Sequence, residues 1–365
     1  MSRRMSYDKT LFGAAILIVV VGLVMIYSAS AIIAAQKSTS GSPYYFVLRQ
    51  LLFLGAGIAL MIAVMHVDLR RLADWKAAYA LLAVLCAALV LVLFQPPINS
   101  THRWFTFGAI HLQPSEFAKP AMVLFLAFYL ARREQRVNEL AGGLLPLIGV
   151  LAMVAGLVLL QPDFGTAVIL LAVSAALVFV AGLAWKRIFV LGALAVPVIG
   201  AIMMSADYRR DRIFSFLNPE ADPLGKGFQA MQSLIALGTG GVSGLGIGNG
   251  RQKLFYLPEP HTDFIFSIIG EELGFVGAVA LLGAFALLVW RGLRIAWNSE
   301  DRFVFYGALG LSVLFAVQVL INVSVAVCLL PTKGTPLPLV SYGGSSLLAS
   351  MIGVGLLLNF SQQSR

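Results

Sequence analysis

Residues 256 to 272 read YLPEPHTDFIFSIIGEE, placing Glu259, His261 and Asp263 at the threshold of an apolar run, with Glu271 and Glu272 just inside it. Ionisable groups at such depth are costly, and they usually face a bundle interior and serve a function. A partly buried carboxylate is a candidate general base, and neighbouring cations would hold an anionic group such as a phosphate. The cations and further acids are spread along the chain. Arg49 lies in FVLRQLLF, Arg103 in INSTHRWFTFGAIHLQPSE, Glu116 and Lys119 open the next apolar run, Asp163 sits in LLQPDFGTA, and Lys333 lies in LLPTKGTPLPLVSYGGSS.

Each of these groups also has a structural reading. Glu116 and Lys119 are three apart on a helix and can pair with each other. Arg49 can snorkel to lipid headgroups, and Trp104 can belong to an interfacial aromatic belt. Asp163 precedes a helix and can cap it. His261 can bridge loop groups, Lys333 can be a solvated loop charge, and one of Glu271 and Glu272 can pair with a basic residue inside the bundle. Asp263 is the hardest to explain by structure alone. Pro258 and Pro260 stiffen its approach, and Thr262 or Asp263 can cap the helix that follows, where the helix dipole favours an anion. A cap accounts for one polar residue, not for the run of Glu, His, Thr and Asp.

The elements that must position these groups are membrane spans. The chain of 365 residues is 59% hydrophobic and 12% charged, against about 25% charged in soluble domains. Ten apolar runs are long enough to span a bilayer: 11–34, 46–65, 77–94, 115–131, 144–160, 166–184, 187–205, 264–290, 303–327 and 339–359. A spanning helix needs roughly 20 such residues. The reading is therefore an all-α polytopic membrane protein, a single domain over 1–365, with a long extracytoplasmic loop at 206–262 between spans seven and eight. The first run is too long for a removable signal peptide. Cys86 and Cys328 fall in or beside apolar runs and read as small hydrophobes.

The positive-inside rule orients the chain. Arg3, Arg4 and Lys9, the loops with Arg70, Arg71, Lys76, Arg132, Arg133, Arg136, Lys186, Arg187, Arg291, Arg294 and Arg302, and the terminal Arg365 share one side. The opposite short loops hold only Lys37, Arg103 and Lys333. Both termini are thus expected in the cytoplasm, and the net charge of +9 calls for no nucleic-acid partner. The candidate acids and bases then gather at the outer boundary. No repeat relates the two halves, which weakens a transporter reading. The stretch GTGGVSGLGIGNGRQK (238–253) lacks the GK[ST] of a phosphate loop and reads as flexible backbone. RRDRIFSFLNPEADPLGKGFQ (209–229) has the composition of a partly helical segment lying on the membrane surface.

Taken together, YLPEPHTDFIFSIIGEELGF, LLPTKGTPLPLVSYGGSS, HRWFTFGAIHLQPSEFAKP, LLQPDFGTA and NPEADPLGKGFQ resemble the SEDS family of FtsW, RodA and SpoVE, in order and over nearly all ten runs. IGEELGF and LLPTKG look closer to the FtsW and SpoVE branch. The resemblance implies a peptidoglycan glycosyltransferase of the cytoplasmic membrane. Such an enzyme polymerises lipid II at the outer face for septal or elongating wall synthesis, beside a class B penicillin-binding protein and other divisome or elongasome membrane proteins. It implies that Asp263 is the essential carboxylate, that Glu116 and Lys119 form the family's pair, and that Arg49 is the arginine of the second span. In that frame Asp263 takes the proton of an acceptor 4-hydroxyl, which attacks the anomeric carbon of the growing chain with inversion. Arg49 and Lys119, with Arg103 or a divalent cation (Mg or Mn), neutralise the departing diphosphate. Glu116 orients Lys119, while Glu259, His261 and Lys333 complete the substrate-binding set. Metal ligands are not assignable from the sequence. Two other classes compete: a lipid II flippase, which needs polar groups at mid-bilayer depth, and a non-catalytic scaffold, which needs no acids and bases at the boundary.

Overall fold

The computed structural model describes residues 7–37, 41–69, 74–98, 101–108, 110–204, 210, 216, 227–254, 256–331 and 334–363. Each of the ten apolar runs forms a helix: α1 (Lys9–Lys37), α2 (Tyr45–His66), α3 (Trp75–Leu91), α4 (Pro114–Arg133), α5 (Leu145–Leu160), α6 (Phe164–Val180), α7 (Trp185–Met204), α9 (Ile265–Trp297), α10 (Arg302–Ala326) and α11 (Gly344–Gln363). Between α7 and α9 the chain forms a further helix, α8 (Phe228–Gly240). The spans lack a polar stripe because lipid or other helices surround them on every side. Their ends are set by local chemistry. Asp8 accepts from the Leu11 amide at 2.9 Å ahead of α1, Pro114 opens α4, and Asp301 accepts from the Phe303 amide at 2.8 Å to cap α10.

By length and composition alone, seven spans qualify for a membrane among the described residues. Helix α6 is apolar but only 17 residues long, and α4 carries Glu116, Lys119, Arg132 and Arg133. Helix α11 lies at the centre, with 89% of its span buried. It packs on α2 and α4, α10 packs on α9, α4 and α6, and α1 packs on α9. Helix α7 turns Trp185, Phe189, Leu194 and Val196 outward.

Both chain ends meet at one end of the bundle. The Asp8 amide donates to the Ser361 hydroxyl at 3.1 Å, and the Asp8 carboxylate pairs with the Arg291 guanidinium. An even number of crossings, as the ten runs imply, follows directly.

Two departures from the sequence reading stand out, at the start of α11 and in the glycine-rich stretch. Helix α11 starts at Gly344 rather than 339, because Pro336, Pro338 and a left-handed Leu339 (φ 65°) hold 335–343 out of a helix. The helical fold carries one short hairpin in the loop before α4, where Phe105–Phe107 and Ile110–Leu112 pair antiparallel with Thr106 opposite His111. The surface segment read at 209–229 lies almost wholly outside the described residues. The glycine-rich stretch is docked rather than loose. Helix α9 opens at Gly274 (φ 67°), and there the Phe275 and Val276 amides donate to the Gly241 and Val242 carbonyls at 2.9 and 3.1 Å. The Leu245 and Gly246 amides return the pairing to the Glu271 and Glu272 carbonyls at 3.0 and 2.9 Å.

Candidate active site

At the end of the bundle opposite the termini, the loop before α9 is clamped through three successive carbonyls. The Tyr342 amide donates to His261 O at 2.9 Å. The Ser341 hydroxyl donates to Thr262 O at 2.6 Å, and the Asn322 side-chain amide donates to Asp263 O at 3.0 Å. Asn322 also binds Thr335 O at 2.8 Å, so α10 fixes both the loop before α9 and the segment before α11. Gln50 of α2 completes the clamp: it donates to Ser341 O and accepts from the Gly343 amide, both at 3.3 Å. Asp263 is half-buried. The backbone of Gly334 runs so close that a Cβ there would lie 2.8 Å from the Asp263 carboxylate. Lys333, the neighbour of Gly334, lies outside the described residues.

His261 is 8% exposed. Its ring lies 4.6 Å from that of Phe46 and 5.6 Å from that of Tyr342, between centroids. Its Nδ1 is buried without a partner. Burial pushes its pKa below the ordinary 6.5, and the nearby Glu259 only partly opposes this. The imidazole is therefore neutral at pH 7. Glu259 is exposed on a left-handed backbone (φ 53°), and its carboxylate accepts from the Thr262 hydroxyl at 3.2 Å. Arg49 stands beside this group. Its guanidinium donates to the Tyr45 hydroxyl at 2.9 Å and lies 5.5 Å from that ring's centroid.

Glu116 and Lys119 sit deeper. Lys119 Nζ binds Glu116 Oε2 at 2.7 Å, with both side chains nearly sealed from solvent. The Lys119 side chain packs among Met122, Leu126, Leu170, Val173, Ser174 and Leu314. The pairing foreseen from their spacing is present, and it lies where α4, α6 and α10 meet.

Arg103 and Asp163 belong to a frame around the site. Arg103 donates to Gln161 O at 2.6 Å and to Pro162 O, tying the α3–α4 connection to the α5–α6 turn. Asp163 caps α6 through the Thr166 amide at 3.2 Å. Its other oxygen accepts from the Ser115 hydroxyl at 2.9 Å and from Gln113 Nε2 at 3.0 Å. Capping was one of the readings open for Asp163, and it is the one observed.

The sequence reading did not single out Phe46, Gln50, Asn322 or Tyr342. Asn322 carried a signal, being an amide inside an apolar run that must find a partner within the protein. Tyr342, in SYGG, stands among the glycines and serines that open the last helix. Gln50 carried the same signal as Asn322, as an amide inside the second apolar run, whereas Phe46 carried none, since its contact with His261 depends on where α2 meets the loop before α9.

With this geometry in hand, comparison with known proteins is informative. Residues 8–365 match the family model of the cell cycle proteins FTSW_RODA_SPOVE. Stage V sporulation protein E of Bacillus subtilis (strain 168) is 40% identical over 368 residues, covering 100% of this chain and 99% of that protein. A probable peptidoglycan glycosyltransferase FtsW of Trichlorobacter lovleyi is 43% identical over 364 residues, covering 98% and 94%. Among solved structures, one described as the structural coordination of polymerization and crosslinking by a peptidoglycan synthase complex superposes with a TM-score of 0.79 at 36% identity, covering 98% of both chains. The rod shape determining protein RodA of Thermus thermophilus superposes with a TM-score of 0.71 at 31% identity, covering 98% and 97%. The chain is a polytopic membrane protein of the FtsW/RodA/SpoVE family, the SEDS proteins, and is FtsW-like within it.

Proposed function

We propose that Asp263 is the general base with which this peptidoglycan glycosyltransferase joins lipid II units into glycan strands. The observation that carries the assignment is the clamp on three successive carbonyls, which fixes the backbone of Asp263 before substrate arrives. A base held in place loses no reorganisation energy at the moment of proton transfer. Asp263 takes the proton from the acceptor sugar's 4-hydroxyl as that oxygen attacks the anomeric carbon of the donor. The C–O bond to the diphosphate breaks on the opposite face, and the configuration inverts. The departing polyprenyl diphosphate carries the negative charge, and Arg49 and Lys119 are the cations assigned to meet it. Glu116 holds Lys119 in one rotamer until the diphosphate competes for it. Arg103, with two donors committed to backbone carbonyls, serves this assignment by fixing the frame. Glu259, His261 and Lys333 complete the sugar and diphosphate contacts around the loop.

A divalent cation, Mg or Mn, would add charge neutralisation at the diphosphate. The described residues bring together no group of three His, Cys, Asp or Glu. Such an ion would rest on phosphate oxygens with Asp263 or Glu259 as a protein donor, a common arrangement for Mg²⁺. The site lies on the extracytoplasmic side in this reading, both termini are cytoplasmic, and a class B penicillin-binding protein crosslinks the strands. The relative described as coordinating polymerization and crosslinking supports that partner.

The test is Asp263→Asn, which keeps the size and the capping capacity and removes the base. The purified variant is expected to melt as the wild type does and to polymerise lipid II about 10²–10⁴-fold more slowly. Near-normal polymerisation would overturn the assignment.

A further inference from the structure

The two carboxylates just inside α9 are unused by this mechanism, yet both are buried. Glu272 is 0% and Glu271 1% exposed. Apart from Ser28 of α1, the groups that hold them come from the segment before α9 and not from the helices of the core. Glu272 takes Lys253 Nζ at 2.6 Å, the Gly248 amide at 3.0 Å and the Ser28 hydroxyl of α1 at 2.6 and 2.8 Å to its two oxygens. Lys253 itself is 3% exposed and donates to Ser28 as well, at 3.0 Å. Glu271 accepts from the Arg251 and Gln252 amides at 2.7 and 3.2 Å. Gly250 passes between the two: a Cβ there would lie 2.8 Å from Glu271 Oε2 and 2.9 Å from Glu272 Oε1. Thus almost every donor comes from residues 248–253, the segment that leads into Asp263, and the remaining one comes from α1.

We propose that Glu272, with Lys253 and Ser28, is a positioning site for the catalytic loop, an internal ionic tie that fixes where the segment leading to Asp263 begins. The clamp on 261–263 fixes the far end of that segment. Between the two anchors lie only residues 254–260, where the Leu257 amide binds Gln252 O at 2.9 Å and Pro258 and Pro260 remove backbone freedom. Glu272 is nine residues from Asp263, roughly 13 Å along a helix, so it acts through the loop and not on the reacting atoms. A buried ion pair is a weak source of net stability, because replacing it with apolar side chains is often neutral. Its distinctive contribution is directional. An ammonium, a hydroxyl and an amide converging on one carboxylate hold a loop in a single register, which apolar packing does not do.

This inference rests on Asp263 being the base, and the experiment separates the two. The double variant Glu272→Met/Lys253→Met removes both charges, so neither is left buried alone. It is compared with wild type and Asp263→Asn in the full-length protein. For each, melting temperature, kcat and KM for lipid II polymerisation, and hydrogen exchange of residues 254–264 are measured. The double variant is expected to melt within a few degrees of wild type, to lose at least tenfold in kcat with KM changed less than threefold, and to exchange faster at 254–264 but not in α10 or α11. Wild-type kcat, or unchanged exchange at 254–264, in a folded double variant would overturn the proposal. Should the double variant not fold, Ser28→Ala decides: a several-fold fall in kcat at constant KM supports the tie, and an unchanged kcat refutes it. An active Asp263→Asn would instead refute the base assignment. A dead Asp263→Asn beside a fully active double variant would refute the positioning role alone.

Discussion

Glu116 and Lys119 form a buried ion pair. Breaking such a pair by removing one partner commonly costs about 3–5 kcal/mol, because the other charge is left buried alone, whereas replacing both is often close to neutral. Lys119→Ala is therefore expected to lower the melting temperature strongly, and Glu116→Leu/Lys119→Met to recover most of it. Polymerisation should fail in both if Lys119 meets the diphosphate. An active double variant would leave the pair as structural glue only. His261 makes a second prediction. Its folded pKa is depressed by burial, so the unfolded chain binds the proton more readily. The neutral form's contribution to stability is present above about pH 6.5 and is lost as pH falls below it. His261→Phe should flatten the melting-temperature profile below pH 6.5, and an unchanged slope would show that another group controls it. What was legible at this scale was local. Asp163 could be read as a cap because its partner Thr166 is three residues away. The clamp on Asp263 could not be read, since its donors are 59 and 79 residues distant.

At the scale of elements, the ten runs were legible because lipid forces each spanning segment to be long and apolar, whereas the start of α11 was not, since Pro336, Pro338 and the left-handed Leu339 delay it to Gly344. The glycine-rich stretch was misread for a physical reason: glycine marks both freedom and close approach, and sequence alone does not separate them. Here it is approach. A Cβ at Gly244, whose φ is 80°, would strike the Glu272 carbonyl, while one at Gly238, inside α8, would meet open space. Gly244→Ala should cost on the order of 2–4 kcal/mol from the left-handed backbone and overpacking together. It should also speed proteolysis within 241–254. Gly238→Ala should be neutral, or stabilising by up to about 1 kcal/mol through helix propensity. Equal behaviour of the two would show that the stretch is not docked as described.

For the molecule as a whole, the distribution of charge makes one statement and the geometry another, and they can be tested together. The positive-inside pattern places the basic loops in the cytoplasm. The contacts of Asp8 with Ser361 and Arg291 place both termini at the same end of the bundle as those loops. The hairpin between α3 and α4 sits at the opposite end, where the Gln113 amide donates to Ser345 at the start of α11 at 2.9 Å. Thr106 on that hairpin and Asn298 after α9 are both exposed, so they report on the two sides of the membrane. With Cys86 and Cys328 replaced, a cysteine at position 106 should react with a membrane-impermeant thiol reagent in intact cells. A cysteine at 298 should react only after lysis. The reverse pattern would put Asp263 and its clamp on the cytoplasmic side, away from the wall, and a glycan polymerase acting at the outer face would then be untenable. Reaction of both sites in intact cells would instead mean an even number of crossings between them, which the five spanning helices joining 106 to 298 in this fold do not allow unless one of them fails to span.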